Sequence, residues 1–141
     1  MKLKILQIRE ATGQSLTSSQ AIADLMTEEA KADRECFWVL HLDTGLKIIE
    51  KELVAVGILV AAFGHHREVF KKAIINSAHS IITVHNHPSG NPKPSGEDRK
   101  IWDRLIKAGK LLQIPVTDNI IIGPGGKLYS DRISGVDGGY N

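Results

Sequence analysis

Residues 83–98 read TVHNHPSGNPKPSGED. Two histidines stand one residue apart at the end of an apolar run. Pro88, Pro92 and Pro94 then deny the chain regular structure until Ser95, and Asp98 follows three residues on. Upstream, SIITVH (80–85) is apolar and β-branched, which predicts a buried strand. Positions i and i+2 of a strand project to one face, so His85 and His87 should converge. Downstream, Ser95 predicts the start of a helix with Ile101, Trp102, Leu105 and Ile106 turned inward, ending near Gly109. Asp98 then falls in the first helical turn, where the macrodipole favours a carboxylate. Strand, stiff loop and helix together predict an α/β unit with polar groups gathered at one end.

The flanking sequence extends that unit. TSSQAIADLMTEEAKA reads as a helix with Ser18 or Ser19 as N-cap and Ile22, Leu25 and Met26 on one face. CFWVLHLD (36–43), a turn at Thr44-Gly45 and KIIEKELVAVGILVA predict a hairpin. HREVFKKAIINSA (66–78) carries Val69, Phe70, Ala73 and Ile74 on one face and predicts a helix. NIIIG and KLYS read as two closing strands with a turn at GPGG. The order of helix, strand pair, helix, strand, helix and strand pair predicts a central sheet flanked by helices. The short alternating run Leu3–Ile8 suggests an edge strand or arm that could pair with a second copy. No repeat or low-complexity segment interrupts the chain, and GVDGGYN reads as a frayed tail.

Composition narrows the class. The chain has 141 residues, enough for one domain with one core. Its 42% apolar and 24% charged residues fit a folded soluble protein and exclude fibrous and disordered classes. No run reaches the roughly 20 apolar residues of a membrane span, and no export signal is visible. A single cysteine, Cys36, forbids an internal disulfide and agrees with a cytoplasmic location. A net charge of +2 gives no footprint for direct nucleic-acid binding. The basic run Lys100, Arg104 and Lys107 reads as a solvated helix face.

Two imidazoles and a carboxylate suit a zinc ion, with the fourth tetrahedral position left for water. The proline-rich loop would hold Asp98 in register with His85 and His87. Each piece also has a plainer reading. His-x-His is common on half-exposed strands, and Ser95-x-x-Asp98 is a capping-box pattern. In combination, His85-x-His87-Pro88-x-Gly90-x-x-x-Pro94-Ser95-x-x-Asp98 resembles the JAMM motif of the JAB/MPN metalloprotease domain. HNHPSGNPKPSGED, ECFWVLHLD, REVFKKAI and IIIG are similar to the RadC branch of that family, from about Ser18 to about Ser134.

The resemblance implies a cytidine-deaminase-like three-layer α/β/α sandwich with a central mixed sheet. It implies one zinc ion per chain, held by His85, His87 and Asp98. It also implies a glutamate ahead of an early strand, which matches Glu35, as general base, and Ser95 as an oxyanion stabiliser. The activity implied is cleavage of a peptide or isopeptide bond in a peptide or protein substrate. RadC proteins usually carry a helix-hairpin-helix segment before this domain, so the chain reads as a short form. Its expected organisation is an arm (1–17), the domain (18–134) and a flexible tail (135–141).

Departures from the RadC pattern fall at His65-His66, Gly57-Ile58 and Asp118-Asn119, none of them at a proposed ligand. His41, His65, His66 and His79 read as structural or exposed histidines, and Cys36 as a small core residue. The alternative function is a non-catalytic or accessory module associated with DNA repair. A zinc nucleobase deaminase is excluded because His-x-Glu and Pro-Cys-x-x-Cys are absent.

Overall fold

The computed structural model describes residues 18–57 and 66–132. The arm at Leu3–Ile8, Ile58, His65 and the tail lie outside the described residues. Among the described residues five strands form one mixed sheet: β1 (Cys36–Leu42), β2 (Ile48–Val56), β3 (Ser80–Asn86), β4 (Val116–Gly123) and β5 (Lys127–Ser130). Their spatial order is β2-β1-β3-β4-β5. All neighbouring pairs are antiparallel except β3 and β4, which run parallel. Parallel neighbours need a long crossover, and helix α3 (Gly96–Leu112) supplies it.

Alternation along the strands divides the core into two layers. Trp38, Leu40, Leu42, Ile82, Val84, Ile120 and Ile122 pack with Ile22 and Met26 from the α1 (Ser19–Leu25) side. Phe37, Val39 and Ile81 face the other way, against Val69, Phe70 and Ala73 of α2 (His66–Ile75) and Ile101 and Leu105 of α3. The sheet is therefore covered on both faces, which gives the sandwich the sequence implied.

Two helix boundaries differ from expectation. The first helix stops at Leu25, and only a 3-10 turn at Glu29–Lys31 follows. Thr27 Oγ1 donates to the Asp24 carbonyl at 2.8 Å, offering the backbone a partner other than the next helical amide. The third helix runs three residues past Gly109, to a left-handed cap at Gln113. Gly109 serves packing rather than termination: a Cβ there would lie 2.7 Å from the Ile114 carbonyl oxygen. The face bearing Lys100, Arg104 and Lys107 is exposed, with Lys100 near Glu97 and Lys107 near Asp103. Among the described residues no helix is long and apolar enough to cross a membrane.

Candidate metal centre

The centre lies where β3 ends, β1 begins and α3 starts, at the carboxyl end of the parallel pair where open α/β sheets place their ligands. His85 and His87 leave β3 on the face covered by α2 and α3. The loop then turns through Gly90, whose φ of 86° suits glycine and whose amide donates to the His87 carbonyl. At the start of α3, Ser95 Oγ accepts from the Asp98 amide at 3.0 Å and Asp98 Oδ2 accepts from the Ser95 amide at 2.8 Å. The capping box expected as a rival is thus present, and it fixes Asp98 facing the histidines.

Three side chains converge. His85 Nε2 lies 3.2 Å from His87 Nε2. His85 Nε2 is 3.3 Å from Asp98 Oδ1, and His87 Nε2 is 3.3 Å from Asp98 Oδ2. Among the described residues this is the group of His, Cys, Asp and Glu side chains that could hold a metal ion. His87 Nδ1 donates to the Asn91 carbonyl at 2.8 Å. A carbonyl only accepts, so that bond assigns a proton to Nδ1; in the neutral ring Nε2 then carries the lone pair, aimed inward, and in the charged ring Nε2 donates to Asp98. His85 is fully buried between Phe37, stacked at 6.0 Å and 15°, and Trp102, also 6.0 Å away and tilted. Trp102 in turn stacks on Tyr129.

The electrostatics follow from that convergence. Burial opposes ionisation of Asp98, but the hydrogen bonds from His85 and His87 overcome it and hold the carboxyl well below its ordinary range. The hydrogen bond to Asp98 raises the His87 pKa against the opposing effect of burial, and the charge of Glu35 adds to the rise. Glu35 is half-buried just ahead of β1. Glu35 lies two residues before Phe37, which pairs with His85, just beyond the end of the β1–β3 ladder. Burial pushes the neighbouring Cys36 thiol up to about 11.

The other described histidines are elsewhere. His41 is buried at the far end of β1, bonded to Glu52 and Asn76, and His66 opens α2. Asn119, one of the departures, accepts a hydrogen bond from Thr83. Sequence reasoning missed Phe37 and Trp102 as the walls around His85. Their spacing carried the signal, since Trp102 is one helical turn beyond Asp98 and Phe37 is two strand residues beyond Glu35.

Comparison with known proteins agrees with this geometry. The model of the family described as "RadC-like JAB domain" matches residues 16–135. A UPF0758 protein of Methanosarcina mazei is 43% identical over 117 residues, which is 82% of this chain and 51% of that protein. One from Pelodictyon phaeoclathratiforme is 52% identical over 103 residues, 73% of this chain and 46% of its own length. UPF0758 protein TTE0897 of Caldanaerobacter subterraneus is 47% identical over 112 residues, covering 79% and 48%. The chain thus spans about half the length of the curated relatives it matches. A match over most of the chain, with the His-His-Asp group at the sheet end, places this protein in the RadC-like JAB domain family.

Proposed function

We propose that the domain is a zinc-dependent hydrolase of the JAMM type, cleaving a peptide or isopeptide bond. The convergence of His85, His87 and Asp98 on one space carries this reading. Zinc bonds of about 2.0–2.1 Å at tetrahedral angles separate neighbouring ligand atoms by roughly 3.3–3.4 Å. The two imidazole nitrogens stand 3.2 Å apart, close to that spacing, and Asp98 sets one carboxylate oxygen 3.3 Å from each of them, Oδ1 toward His85 and Oδ2 toward His87. Two imidazole nitrogens also favour zinc over calcium or magnesium, which prefer oxygen. When bound, zinc with three protein ligands supplies a water whose pKa is lowered to about 7.

The chain's own residues complete the chemistry. Glu35, whose charge reaches His87, takes a proton as general base and returns it to the leaving amine. Ser95 accepts the Asp98 amide through its oxygen, which leaves its own O–H free to donate to a developing oxyanion. One such donor is worth about 3 kcal/mol in the transition state. Capping and catalysis therefore draw on different parts of one hydroxyl.

Metal analysis of the purified protein, with peptide-library cleavage by the native and Glu35→Gln forms, tests the reading. One zinc per chain in both proteins, and cleavage by the native form alone, is the expected result. Equal cleavage by Glu35→Gln would remove Glu35 from the mechanism. Zinc without cleavage of any peptide would favour an interaction module.

A further inference from the structure

We infer that Asn86, the residue between the two histidines, positions Glu35; this deepens the hydrolytic reading and rests on it. Strand alternation sends the Asn86 side chain away from His85 and His87, toward the α1 side of the sheet. There it is 0% exposed. Its Oδ1 accepts from the Cys36 amide at 2.7 Å, and its Nδ2 donates to the Arg34 carbonyl at 3.0 Å. Those partners are the residues immediately before and after Glu35. A longer contact of 3.5 Å reaches the Ala32 carbonyl. An amide can only donate and a carbonyl can only accept, so the partners assign the orientation of the carboxamide.

The segment held in this way belongs to no helix or strand. It leaves the 3-10 turn, passes through Ala32 to Glu35 and enters β1 at Cys36. From the other side, the Glu35 carbonyl accepts from the Gly57 amide at 2.8 Å. Asn86 thus stands in for ladder bonds where the ladder has ended. It ties the backbone of Glu35 to the same strand that presents His85 and His87. One dipeptide step of β3 consequently fixes both parts of the site relative to each other. The position needs one donor and one acceptor within a short side chain. Asp lacks the donor, Leu lacks both, and Gln adds a methylene in a filled space.

The test is a double-mutant cycle on the full chain, comparing native, Asn86→Ala, Glu35→Gln and the double variant. Three quantities are read: amide hydrogen exchange at Cys36 and Gly57, Co2+ affinity, and kcat and KM on the best-cleaved library peptide. In Asn86→Ala both amides should exchange at least about tenfold faster, while Co2+ affinity stays within about threefold of native because no ligand has been touched. The kcat should fall about 10- to 100-fold with KM unchanged. In the Glu35→Gln background, where no cleavage is left to read, Asn86→Ala should again quicken exchange at Gly57 about tenfold and leave Co2+ affinity within about threefold.

A merely structural role predicts that Co2+ affinity falls together with kcat in Asn86→Ala, and that outcome would overturn the inference, as would native exchange at Gly57. Should Asn86→Ala fail to fold, Asn86→Asp replaces it. That variant keeps the volume and the Cys36 acceptor but loses the Arg34 donor, and is judged by Gly57 exchange and the same cycle. If the native protein cleaves no peptide, the hydrolytic reading fails alone. Faster Gly57 exchange with Co2+ affinity retained would still support the positioning of Glu35.

Discussion

His41 and His85 lie on one face of the sheet, four positions apart along the β1–β3 ladder, or about 14 Å. Both are fully buried and both touch a carboxylate. Their surroundings differ in one respect. At His41 each ring nitrogen has its own partner: Asn76 Nδ2 meets Nδ1 at 2.8 Å, and Nε2 meets Glu52 at 3.2 Å. Asn76 also donates to Glu50 at 2.9 Å. Donors and acceptors alternate around the His41 ring. At His85 the order breaks down, because an imidazole nitrogen faces another imidazole nitrogen and a carboxylate that only accepts. Such a group could hold a cation at its centre. Composition alone cannot separate the two clusters; the direction of the lone pairs does.

The largest effect should come from breaking each cluster in turn. If about 10 kcal/mol of zinc affinity is shared by three ligands, His85→Ala or Asp98→Ala should weaken binding about a hundredfold or more. His41→Ala should leave zinc stoichiometry at one per chain. It orphans buried polar groups instead, at about 1–3 kcal/mol each, so the Tm should fall by roughly 5–10 °C. Zinc titration and thermal unfolding of the same variants make the check. Loss of zinc from His41→Ala would erase the distinction between the two ends.

The same contrast shows how much the sequence discloses. His85, His87 and Asp98 were legible because a strand, a short stiff loop and a helix bring them together within 14 residues of chain. The five strands were legible from their apolar patterning, but their order was not. β1 lies between β2 and β3 because of pairings far apart in sequence, such as Phe37 with His85. Glu35 became a candidate only through family resemblance, since nothing local ties it to a histidine fifty residues away. Asn86 looked like a spacer, because a side chain's role in holding another segment has no period to read. Gly109 misled for the same reason: its lost Cβ answers to Ile114 rather than to the end of its helix.

A change of pH should sharpen the comparison with a smaller effect. With zinc stripped by chelator, His87 has a folded pKa above its ordinary value because of Asp98. Its contribution to stability is complete below the unfolded value of about 6.5 and is lost as pH rises through the folded value. Asp98 behaves oppositely, since its folded pKa is lowered. Its contribution is present above the unfolded value and lost as pH falls toward the folded one. The stripped protein should therefore have a lower Tm at pH 8.5 than at pH 6. Saturating zinc requires neutral imidazoles, so the Tm gain on adding it should grow over the same interval. Thermal unfolding at both pH values, with and without zinc, measures the crossing. Parallel curves would mean that the histidines do not face a common ion.

The smallest effect belongs to Cys36, which adjoins Glu35 yet faces the other layer of the core. Burial raises its thiol from 9.0 to about 11, which cuts the thiolate fraction at neutral pH about a hundredfold. Native protein should resist iodoacetamide at pH 7.5 and react once unfolded. Cys36→Ala should leave zinc binding and cleavage unchanged and cost about 1 kcal/mol of stability. What Asn86 grips at this position is the backbone amide, and alanine keeps it. A variant that binds zinc normally but cleaves slowly would mean that the Cys36 side chain, and not only its amide, helps to set Glu35 in place.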